Sequence, residues 1–111
     1  MKIRNLTPHA INIIAEDGTV ISTFPSEGIA RAAQKATPAF TLNGVDVVRM
    51  EFGRPVDLPD KEADVWLIVS IVTANAAKAY GRKTDDLLIT ADPVRDGEGR
   101  IVGCKHFATI D

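Results

Sequence analysis

Short bursts of apolar residues, broken by glycine and proline, run along most of this chain. The pattern predicts strands more often than helices, because few stretches carry the 3.6-residue spacing of an amphipathic helix. Lys2 to Leu6 reads as a short first strand, ended by Thr7-Pro8-His9, where proline removes a backbone donor. Ala10 to Ala15 and Thr19 to Phe24 flank Glu16-Asp17-Gly18, and they read as a hairpin. Pro25-Ser26-Glu27-Gly28 is a second break. Ile29 to Ala36 reads as a strand ending before Thr37-Pro38, with a two-turn helix as the alternative. Phe40 to Leu42 and Val45 to Phe52 flank Asn43-Gly44, the strongest short hairpin signal in the chain.

Arg54 to Asp64 carries two prolines and four acids and reads as an exposed loop. Val65 to Val69 is apolar without alternation, as expected of a strand covered on both faces. Ser70 or Thr73 then caps a helix that runs through the alanines to Tyr80. Gly81 stands where a left-handed residue closes a helix, and Lys78, Arg82 and Lys83 suit its negative end. Asp86 to Thr90 is a further strand. Pro93 to Asp96 and Arg100 to Cys104 flank Gly97-Glu98-Gly99 as a last hairpin, which Phe107 to Ile110 extends. The expected fold is a single α+β domain over residues 1–111. It has mostly antiparallel short strands, in a rolled sheet or partly open barrel, and one principal helix at about 71–80. One parallel crossover fits around that helix.

Composition narrows the classes. With 111 residues, 45% hydrophobic and 25% charged, the chain can hold one core. Its longest apolar run, Val65 to Val72, is too short for a membrane helix and no signal peptide is recognisable. A single cysteine excludes an internal disulfide and suits a reducing cytoplasm. The net charge of −2 excludes a broad DNA-binding face. That charge is concentrated in Asp57 to Asp64, so arginines elsewhere can still form a local anion site.

Several residues together resemble a group of small phage and prophage proteins of unknown function. They are Asn5-Leu6-Thr7-Pro8-His9, Pro25-Ser26 with Ala30-Arg31, Ile68-Val69-Ser70, and Arg82 with Asp85 or Asp86. Pro93-Val94-Arg95-Asp96 and the set Gly99, Ile101, Gly103 and Cys104 complete the resemblance, which covers nearly the whole chain. The chain departs from such proteins at Glu27-Gly28, where they more often run from Pro-Ser straight into glycine. The resemblance implies a phage-related accessory protein of the bacterial cytoplasm, and it supplies no reaction.

The candidate ligand-binding residues are Thr7, His9, Ser26, Arg31, Ser70, Arg82 and Arg95. Arginine offers a planar fork of donors to phosphate or carboxylate, and hydroxyls add further donors. A helix starting near Ser70 would point N–H groups at an anion. No glycine-rich phosphate loop accompanies them. The structural alternative pairs Arg82 with Asp85 or Asp86, and Arg95 with Asp96 or Asp92. Cys104 and His106 lie on one strand face as a conceivable thiol–imidazole pair, but no orienting third group accompanies them. His9, His106 and Cys104 fall short of a four-ligand zinc set. Neither a metal nor a cofactor is expected.

The leading expectation is therefore a non-enzymatic binder of a small anionic ligand, such as a nucleotide used by the host for signalling. The second is a protein-interaction or self-assembly module that binds a host or virion protein. A Cys/His enzyme is the third. A homo-oligomer is the default assembly.

Overall fold

Eight strands and one helix form in chain order. They are β1 (Lys2–Asn5), β2 (Ile11–Ile14), β3 (Val20–Phe24), β4 (Arg31–Leu42), β5 (Val45–Val56), β6 (Val65–Ile68), α1 (Ile71–Ala79), β7 (Leu87–Arg95) and β8 (Ile101–Ala108). These assignments come from a computed structural model that describes all 111 residues. The architecture is mixed α+β with open sheets and no closed barrel. Six strands make one sheet in the order β1-β6-β7-β8-β2-β3, while β4 and β5 make a separate two-stranded ribbon. No helix is long and apolar enough to cross a membrane.

The β2–β3, β4–β5 and β7–β8 pairs are antiparallel, as hairpin chemistry dictates. The β1–β6, β6–β7 and β8–β2 pairs are parallel, and β6-α1-β7 is the crossover unit. Parallel pairing thus extends beyond the single crossover expected. Proline does not end the strands of the ribbon. β4 continues through Thr37-Pro38, and β5 continues through Pro55 to Val56. Each strand of a two-stranded ribbon has a free outer edge, where a missing N–H need break no ladder bond. Likewise β7 is one strand across Asp92-Pro93, with Asp92 at a positive φ of 54°.

The helix begins where Ser70 accepts a hydrogen bond from the Thr73 amide at 3.2 Å, closing one orphan donor. Gly81 ends it at φ 84°, a conformation that costs glycine no Cβ clash. The helix buries Thr73, Ala74, Ala76 and Ala77. Its small side chains let it lie close against Leu6, Ala30, Leu67, Val69 and Leu87, which form the core. The Thr73 hydroxyl donates to the Ala30 carbonyl at 3.2 Å, tying the helix to the segment entering β4.

Strands β2 and β8 approach unusually closely. A Cβ at Gly103 would stand 2.6 Å from the Asn12 carbonyl oxygen and from Ile14 Cδ1, so only glycine fits. The Asn12 side chain donates through Nδ2 to the Val102 carbonyl at 3.2 Å and supplements this short ladder.

Candidate functional site

The carboxyl ends of β1 and β6 point the same way because the two strands are parallel. Beyond them the chain turns through Thr7-Pro8-His9 and through Val69-Ser70 into α1. An open cavity of about 720 Å³ lies there, completed by Ile89, Thr90 and Pro93 of β7 and by residues 101–104 of β8. Its size falls in the range of small-molecule sites, roughly 300–1,000 Å³. Its position is the one open sheets with parallel strands commonly use for ligands.

Asn5 builds the rim. Its side chain is fully buried at 0% exposure, yet every polar atom is satisfied. Nδ2 donates to the carbonyls of His9 and Phe24 at 2.7 and 2.8 Å. Oδ1 accepts from the Thr7 amide at 3.0 Å and from the Thr7 hydroxyl at 2.6 Å. One side chain thus fixes both ends of the turn and joins it to the end of β3. Ser26 adds to this frame by donating to the Thr7 carbonyl at 2.6 Å. The backbone supports it too, since the Glu27 amide donates to the Asn5 carbonyl at 2.8 Å.

Thr7, His9 and Ser70 therefore line one cavity, whereas Ser26 stands behind the Thr7 turn. The three arginines do not join them. Arg82 makes a two-pronged pair with the buried Asp86 at 2.8 and 2.9 Å, and it also donates to the Pro59 and Lys83 carbonyls. It is thereby a clamp that holds the acidic 57–64 loop against the start of β7. Arg95 donates to the Gly99 carbonyl at 2.8 Å within the last hairpin, where Asp96 pairs with Arg100 instead. Arg31 opens β4, opposite Val56.

The polar groups with spare capacity are few. His9 gives only its backbone carbonyl to the chain's own bonds, so its imidazole remains available at the rim. Thr90 pairs through its backbone with Phe107, leaving its hydroxyl to the cavity. The first amides of α1, at Ile71 and Val72, have no intrahelical partner. No Asp or Glu lines the cavity, and none stands in the first turn of α1. The local field is therefore set by the positive end of the helix. The remaining lining is mainly aliphatic, from Ile11, Val69, Ile71, Ile89, Ile101 and Val102.

Cys104 also borders the cavity but is buried. Burial pushes its thiol above the usual range, and the backbone amides of Ala91 and His106 offset this only in part. An activated cysteine nucleophile needs the opposite shift. His106 instead bonds the Asp92 carboxylate through Nε2 at 2.7 Å. No three His, Cys, Asp or Glu side chains gather as a metal site. Comparison with family models, with curated proteins and with solved structures finds no match.

Sequence reasoning missed Asn5, Thr90 and the β8 wall. Asn5 was visible as a polar residue ending an apolar strand directly before a Thr-Pro turn, a place where an amide side chain often bonds nearby backbone. Nothing local marks Thr90 or Val102, which the β7–β8 register brings to the cavity.

Proposed function

We propose that this protein is a non-enzymatic binder of a small ligand with an apolar body and an anionic group. The observation that carries this reading is the 720 Å³ cavity, aliphatic over most of its wall and free of carboxylates, with the α1 N-terminus opening into it. A nucleotide fits that description: a base and sugar against the aliphatic wall, and a phosphate at the amides of Ile71 and Val72. His9 and Thr90 supply the free side-chain polar contacts, while Thr7 and Ser70, whose hydroxyls already donate to Asn5 and Thr73, shape the rim. The arginines of the clamp and the last hairpin belong to the frame. The phage-like sequence motifs extend the proposal to a phage-related accessory protein of the bacterial cytoplasm that withholds a host signalling nucleotide.

Thermal denaturation against a panel of mono-, di- and cyclic nucleotides tests this. A ligand at a hundredfold excess over its Kd adds about 2.7 kcal/mol, which raises Tm by roughly 10 °C or more. Ser70→Asp is the decisive variant. Aspartate still accepts from the Thr73 amide and favours the positive end of the helix, and it loses only the bond that the Ser70 hydroxyl donates to the Thr73 hydroxyl, so the fold is retained. The new carboxylate repels an anion, and the ligand-induced shift disappears. A panel without any stabilising member, or a shift unchanged by Ser70→Asp, refutes the reading.

The β4–β5 ribbon supports a second reading as an interaction module. It projects a row of exposed apolar side chains, among them Phe40, Leu42 and Val45. The cavity residues come from other elements, so one chain can hold both functions.

A further inference from the structure

The chain is too extended for a finished monomer. Its radius of gyration is 16.5 Å, against about 13 Å for a compact domain of this length. Its accessible surface is 7409 Å², against about 6,000 Å² for a folded monomer of its mass. The excess, about 1,400 Å², exceeds the roughly 800 Å² per partner that a standard interface buries. The ribbon β4–β5 explains it. Twelve residues per strand reach about 40 Å, and isolated two-stranded ribbons are marginal in water.

The pattern of β5 says what covers the ribbon. Asp46, Val48, Met50 and Phe52 alternate along one face, with Pro38, Ala36 and Gln34 paired beside them on β4. Val48, Met50 and Phe52 are 47%, 47% and 50% exposed. Apolar residues flank Met50 symmetrically on this face, Val48 towards the tip and Phe52 towards the base, and a bulge opposite Ala33 ends the alternation beyond Phe52. Lys35 and Glu51 face each other across the ribbon, so that pair adds no net charge. A face of this kind is complementary to itself when reversed.

We propose that the β4–β5 ribbon is the dimerisation arm of this protein, packing antiparallel on the same arm of a second copy about a two-fold axis near Met50. Met50 then meets its own copy and Val48 meets Phe52. Symmetric interfaces are built this way, each contact occurring twice. A shallow hollow of about 220 Å³ beside the Ala39 bulge, lined by Pro38, Phe40, Asp46 and Val48, stands where the second copy's base arrives.

Sedimentation of the full chain at tens of micromolar tests the arm. The wild type is expected to be dimeric, and Met50→Asp monomeric with an unchanged circular dichroism spectrum, because a carboxylate on the axis faces its own copy. Val48→Asp likewise weakens association, because Val48 meets Phe52 of the second copy. Should Met50→Asp unfold, Met50→Cys in a Cys104→Ser background decides: mild oxidation is expected to give a covalent dimer. A monomeric wild type, a dimer that survives Met50→Asp or Val48→Asp, or no covalent dimer from Met50→Cys overturns the proposal.

Discussion

Replacing Asn5 by alanine should be among the most damaging single changes in this protein, although the side chain touches no charged group. Four hydrogen bonds end on it, at 2.6 to 3.0 Å, and the side chain is wholly buried. Each such bond is worth about 1 kcal/mol net, and a partner left unpaired in a dry place costs about as much again. The Thr7 hydroxyl keeps a second partner, the His9 carbonyl at 3.1 Å, so one of the four losses is partly made good. The expected cost is about 3–4 kcal/mol, a drop in Tm of roughly 15–25 °C for a domain of this size.

Asn5→Asp separates hydrogen bonding from shape. The carboxylate keeps the two acceptor bonds to Thr7 but sets an oxygen against the His9 and Phe24 carbonyls. Its folded-state pKa must therefore rise above the unfolded value. Destabilisation is then greatest near neutral pH and recedes as pH falls through the raised pKa, because a protonated carboxyl can donate one bond. Urea unfolding of both variants between pH 7 and pH 4 measures this. If Asn5→Ala lies within about 1 kcal/mol of wild type, or Asn5→Asp shows no recovery in acid, the rim does not depend on this residue as argued.

Other variants check other parts of the frame. Arg82→Met leaves Asp86, 3% exposed, without its cation and should cost about 3–5 kcal/mol in urea unfolding. Arg82→Lys, wherever it folds, should leave ligand-induced stabilisation intact, because Arg82 does not line the cavity. Gly103→Ala forces a methyl against the Asn12 carbonyl and should cost about 1–3 kcal/mol by calorimetry. Asp96 is held below 3.8 chiefly by the Arg100 backbone amide, then by that of Glu98. Its contribution is complete above that value and is lost as pH falls through the lowered pKa, so Asp96→Asn and wild type should converge in Tm in strong acid.

Local chemistry was legible where a short signal decides the backbone alone. Asn43-Gly44 gives a hairpin with both turn residues at positive φ, 49° and 79°. Ser70 and Gly81 bracket the helix as their residue types suggest. Non-local features were not legible. Pro38 and Pro55 read as stops because proline lacks a ladder donor, whereas the free outer edges of the ribbon need none there. The parallel pairing of β8 with β2 joins residues about ninety positions apart in the chain and leaves no mark near either of them.

The candidate site shows the same division, with a specific cause. Arginines were weighted because a guanidinium is the strongest anion donor a sequence displays. That strength also makes arginine the best clamp for a buried carboxylate and for loop carbonyls, and Asp86 with the Pro59 carbonyl claims Arg82. Weak donors have the opposite fate. The His9 imidazole and the first amides of α1 satisfy nothing in the frame, so they remain available at the cavity. A ligand that binds there meets few fixed charges. Its affinity must then come mostly from covering aliphatic wall, with the helix end selecting the sign of its charge. Raised salt should accordingly weaken binding only modestly, unlike a site built from converging arginines.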